Sequence, residues 1–105
     1  MLMSNPTKMR ATVTNGVTEV RALLQHEMET GRRKDETGKL VPAWYITDFK
    51  AQHNGRTVLE GQFGTSVSKN PFLVFRFKGA QAGDKLTFSW ADNRGEKRTD
   101  EVAIG

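Results

Sequence analysis

Arg10-Ala11-Thr12-Val13-Thr14-Asn15-Gly16-Val17-Thr18-Glu19-Val20-Arg21-Ala22-Leu23-Leu24 is the stretch on which the fold turns. Two β-prone runs meet at Asn-Gly, the pair that most readily adopts the left-handed conformations of a tight hairpin turn. In the second run Val20, Ala22 and Leu24 share one face, while Glu19 and Arg21 share the other. A period of two over that length describes a strand with one buried side. The same signal recurs outward along the chain. Asn54-Gly55 leads into Thr57-Val58-Leu59, and Phe72 to Phe77 puts Leu73, Phe75 and Phe77 on one side. Leu86-Thr87-Phe88-Ser89-Trp90 alternates most cleanly, and Thr99 to Ile104 can close a sheet after the Asp92-Asn93-Arg94-Gly95 turn. Leu40 to His53 has strand character, with Pro42 at an edge or bend.

About seven short antiparallel strands, without helical periodicity, predict an all-β fold: an immunoglobulin-like β-sandwich. The chain has 105 residues, room for one domain. Residues 1–8 are expected to be a flexible N-terminal segment and residues 9–105 the domain. Six Phe, two Trp and ten Gly give an ordinary globular composition. Gly61 to Pro71 reads as a crossover loop, and His26 to Lys39 as a polar loop, long enough for a small domain to suggest a function.

The net charge of +4 invites a nucleic-acid hypothesis. Residues 1–53 and 54–105 each hold eight basic and six acidic side chains, and the run Arg32-Arg33-Lys34 lies among Glu27, Glu29, Asp35 and Glu36. Aromatic and basic residues do not interleave as a stacking platform requires. Neither a nucleic-acid partner nor a membrane contact is expected. The absence of any cysteine removes disulfides, thiolate metal sites and a cysteine nucleophile. His26 and His53 lack a third ligand at a recognisable spacing, and Ser66 and Ser68 sit in no nucleophile elbow. No catalytic residue, metal site or cofactor is expected. An enzyme built on His26, Glu29 or the loop serines is a distant rival, and a free-standing immunoglobulin-like binding module a nearer one.

The segment His26-Glu27-Met28-Glu29-Thr30-Gly31-Arg32-Arg33-Lys34-Asp35, followed by Gly38-Lys39 and Pro42-Ala43, resembles the SoxZ family. The likeness continues through Phe49, Asn54-Gly55, Ser66 to Leu73 and Trp90 to Gly95. Glu27 departs from the Pro that the family commonly has between His and Met. The resemblance implies the small, non-catalytic subunit of a heterodimeric sulfur carrier in bacterial thiosulfate oxidation. Its expected partner is a SoxY-like subunit whose cysteine carries the sulfur, with transient contacts to other Sox enzymes. It further implies a periplasmic location, reached by export together with the partner. The expected partner surface draws on the aromatics Trp44, Tyr45, Phe63 and Phe72 and on the long loop, with His26, Met28, Glu29, Arg32 and Arg33.

Overall fold

A computed structural model describes residues 4–105 and shows seven antiparallel strands with no helix among them. The strands are β1 (Lys8–Thr14), β2 (Val17–Leu23), β3 (Ile46–His53), β4 (Arg56–Gln62), β5 (Phe72–Lys78), β6 (Lys85–Asp92) and β7 (Lys97–Ala103). They form a three-stranded sheet, β1-β2-β5, and a four-stranded sheet, β4-β3-β6-β7. The chain changes sheet after β2, β4 and β5, which is the connectivity of an immunoglobulin-like sandwich.

Both Asn-Gly pairs do what their chemistry predicts. Asn15 and Gly16 have φ of 52° and 78°, Asn54 and Gly55 of 47° and 87°, so each pair turns a hairpin whose twist matches its strands. Alternation then sets which side chains meet. Val20, Ala22 and Leu24 from one sheet face Leu86, Phe88 and Trp90 from the other, and all are buried. At β3–β4 the Phe49 ring, flanked by Phe63 and Phe88, lies directly over Gly61.

The two sides of the sandwich differ. Beside β1 and β7 it is zipped shut: Gly105 exchanges backbone bonds with Ala11 and Val13, and the Thr7 amide donates to Asp100. Beside β4 and β5 it is open, with Val58, Leu59, Leu73, Phe75 and Phe77 only half-buried. Residues 1–3 of the expected flexible segment lie outside the described residues. Of the remainder, Ser4 accepts from Arg98, the Pro6 carbonyl accepts from Gln25, and Lys8 already opens β1.

The segment between β2 and β3 corrects the reading of the sequence. The expected loop 26–39 and the first residues of the expected strand 40–53 form one antiparallel arm. Glu29 pairs with Trp44 and Lys34 with Leu40, and the tip turns at Asp35–Lys39. β3 proper begins only at Ile46, because residues 40–44 pair backward into the arm rather than sideways into the sheet.

The contact at Gly61 gives a stability test. A Cβ there would come within 2.7 Å of Phe49 Cζ, and Phe63 and Phe88 leave the ring little room to retreat. Gly61→Ala is expected to destabilise by about 1–3 kcal/mol in denaturant titration, as overpacked cores do.

Candidate functional site

The arm leaves the sandwich at a concentrated polar cluster. Past β2, the His26 amide donates to Asn70 Oδ1 at 3.0 Å, and the Asn70 amide returns a bond to the His26 carbonyl at 2.9 Å. This clamps the start of the arm to the β4–β5 connection. The His26 ring is buried against Trp44, 4.9 Å between centroids, and meets Trp90 edge-on at 5.3 Å. The Met28 amide donates to its Nδ1 at 3.1 Å, which leaves Nε2–H to donate to Asp92 Oδ2 at 3.1 Å. Met28 has a positive φ of 53°, costly for a non-glycine residue. Two bonds hold it there: its amide to His26, and the Ile46 amide to its sulfur at 3.3 Å.

Asp92 is the centre of the cluster, with its side chain wholly enclosed. Oδ2 accepts from His26 and from Trp44 Nε1 at 2.9 Å, while Oδ1 accepts from the amides of Arg94 and Glu96. The next turn residues complete the grip. Asn93 accepts from the Tyr45 amide and donates to the Ala43 carbonyl, and the Arg94 guanidinium lies 4.3 Å over the Trp44 ring. Burial alone would raise the Asp92 pKa, but the bonds from His26, Trp44 and the two amides outweigh it and hold the carboxyl below its ordinary value.

Along the arm, Glu29 exchanges backbone bonds with Trp44, and its carboxylate takes Arg33 through Nε at 3.0 Å and Nη2 at 2.9 Å. That bond lowers the Glu29 pKa. Arg32 is exposed, and at the tip Asp35 accepts from the Thr37 amide, the Thr37 hydroxyl and the Lys39 amide. Leu40, 60% exposed, is the large apolar residue the arm presents to solvent.

The sequence-predicted residues thus divide. His26, Met28, Glu29, Trp44 and Tyr45 come together at the arm's base, and Arg32 and Arg33 lie on the arm. Phe63 is elsewhere, 4.7 Å from Phe49 at the open side of the sandwich. Phe72, 57% exposed, lies on the outer face of the three-stranded sheet. Asp92, Asn93 and Asn70 escaped the sequence reading. Asp92-Asn93-Arg94-Gly95 announces a turn, and nothing in it reveals that one carboxylate oxygen points inward. The cluster is built to hold backbone. Both His26 nitrogens are engaged, the Glu29 carboxylate is turned to Arg33, and Ser66 and Ser68 are exposed on the β4–β5 connection. Among the described residues no three His, Cys, Asp or Glu side chains are arranged to hold a metal ion.

A carboxyl with a lowered folded pKa stabilises fully above its unfolded value, about 3.9 for Asp, and loses that contribution as pH falls through the folded value. Asp84, held by His53 and the Gln81 amide, titrates in the same sense. Thermal stability is therefore expected to hold above pH ~5 and fall under acid. Asp92→Asn should cost on the order of 2–3 kcal/mol at pH 7, flatten the acid branch, and raise amide exchange in residues 26–45 above that of β6.

Comparison with known proteins agrees with the loop motif and the sandwich. The chain matches the model of the family described as sulphur oxidation protein SoxZ over residues 7–103, nearly its whole length. No curated protein matches it. With a seven-stranded sandwich beneath the motif and a family match from before β1 to the end of β7, the chain belongs to the SoxZ family of sulphur oxidation proteins.

Proposed function

We propose that this chain is the non-catalytic subunit of a heterodimeric sulfur carrier, holding a SoxY-like partner on whose cysteine sulfur intermediates travel during thiosulfate oxidation. One observation carries the reading: a member of a sulfur-oxidation family contains no cysteine at all. Covalent carriage of sulfane sulfur needs a thiolate, so the thiol must come from another chain. A neighbour without thiols also offers no competing partner for exchange. The chain's own contribution is then a rigid support. The buried Asp92 cluster fixes an arm that ends in a tight, internally bonded tip, and such an arm suits docking by pathway enzymes. Exposed Arg32 favours the approach of anionic sulfur species, whereas Arg33 is already committed to Glu29. The site of action is the periplasm, with export signalled by the partner.

Co-expression with the cysteine-bearing subunit tests this directly. A one-to-one complex on size exclusion is expected. Two independent monomer peaks at micromolar concentration would sink the reading and favour a free-standing binding module. Within the complex, Leu40→Asp at the exposed arm is expected to leave folding intact, within ~0.5 kcal/mol as surface substitutions do. It should slow loading of the partner cysteine by a pathway enzyme severalfold, measured by mass spectrometry of the carried adduct.

A further inference from the structure

The chain's charge is sorted by the fold in a way that counting along the sequence hides. The register of the three-stranded sheet aligns its outward residues in four rows: Lys8-Leu23-Phe72, Arg10-Arg21-Val74, Thr12-Glu19-Arg76 and Thr14-Val17-Lys78. Five of these twelve side chains are basic and one, Glu19, is acidic. That single face therefore carries +4, equal to the net charge of the whole chain. The outer face of the four-stranded sheet is neutral by contrast. Its basic Lys50, Lys85 and Lys97 are matched by Asp48, Glu60 and Glu101, with Lys50 directly across from Glu60.

The positive face is also left uncompensated internally. Arg10 and Arg21 stand directly opposite each other, a like-charge cross-strand pair that weakens a sheet. Glu19 serves Arg21 and Arg76 at once, at 3.0 and 2.7 Å, while Lys8, Arg10 and Lys78 have no acidic partner among the described residues. Apolar surface lies inside this basic frame. Phe72 is 57% and Val74 46% exposed, and Leu23 beside Phe72 is half-buried. β5 is an edge strand: beyond its ladder with β2, its backbone makes no hydrogen bond among the described residues. A seven-residue edge bearing exposed apolar side chains is a liability unless something covers it. An apolar centre with a charged rim is the anatomy of a protein interface. A polyanion track would instead set its basic residues among stacking aromatics, and Phe72 is the one aromatic here.

We infer that the outer face of β1-β2-β5 is the docking surface for an acidic-rimmed protein surface, with Phe72 and Val74 as apolar anchors and Lys8, Arg10, Arg21 and Lys78 as charged rim. The inference rests on the carrier reading, and it assigns this face to the cysteine-bearing partner. The apolar row Leu23-Phe72 lies at the end of the sheet from which the arm departs, so one partner reaches both. Charge complementarity on the rim speeds association and makes it salt-dependent, while the anchors set the lifetime of the complex.

The test compares affinities for the purified partner by titration calorimetry at 50 and 300 mM salt. Arg10→Glu/Arg21→Glu is expected to weaken binding at least tenfold at low salt and to remove most of the salt dependence. Phe72→Ser/Val74→Ser should weaken it at least tenfold at both salts. Lys50→Glu/Lys97→Glu, on the neutral face, should change it less than twofold. All four positions altered on the positive face are solvent-exposed, and circular dichroism checks that each variant folds. Wild-type affinity in both positive-face variants overturns the inference while the carrier reading stands. A wild-type chain that does not bind the partner overturns both. Tighter binding of a 20-base-pair DNA duplex or of anionic phospholipid vesicles, abolished by Arg10→Glu/Arg21→Glu, also overturns the inference and makes that polyanion the occupant.

Discussion

The carboxylate of Asp92 holds together parts of the chain that no local rule connects. A buried charge is tolerable only when its oxygens are fully engaged, and here four donors converge on two atoms. Two of them, His26 and Trp44, lie 66 and 48 residues away in sequence, one at each end of the arm. The other two are amides of the carboxylate's own turn. One group therefore closes the β6–β7 turn and sets where a long excursion between β2 and β3 begins and ends. Without it, the positive φ of Met28 and the Trp44–Arg94 stack would lose the geometry that supports them.

The sandwich beneath has a division of its own. The β1/β7 side is closed by Gly105, which exchanges backbone bonds with Ala11 and Val13, and by the Thr7–Asp100 bond. The β4/β5 side is not sealed, and the outer face of β5 combines exposed apolar side chains with uncompensated positive charge. A protein that spends its one acidic residue on that face on two arginines, and keeps a like-charge pair across β1 and β2, is not optimised as an isolated monomer. This asymmetry fits a subunit better than a free-standing module.

Much of the fold was legible. Asn15-Gly16 and Asn54-Gly55 need backbone conformations that few pairs adopt so readily, and each marked its hairpin. The alternation in Leu86 to Trp90 named the inward face correctly because the pleat has a period of two and one side must be dry. The arm was not legible as an arm. Its two halves are held by pairing between residues 29–34 and 40–44, and its base by Asp92 and Asn93 far downstream. Polar residues with two Thr-Gly pairs look the same whether a loop is free or pinned. The strand expected from Leu40 to His53 begins only at Ile46 for the same reason, since β-prone residues such as Val41 and Trp44 pair equally well into an arm or a sheet.

The sequence by itself determined the sandwich, the hairpins, the inward faces and the family, because these follow from short-range backbone chemistry, a period of two and a contiguous loop motif. It also determined that the chain has no thiol of its own, since none of its 105 residues is a cysteine. Tertiary structure alone decided which polar residues are buried partners and which are free. It also decided how the charges are distributed. Along the chain, basic and acidic residues balance in each half to the same degree; in space, register brings Lys8, Arg10, Arg21, Arg76 and Lys78 from three separated strands onto one face. Electrostatic interaction depends on distance through space, and only the pairing of strands converts sequence separation into that distance.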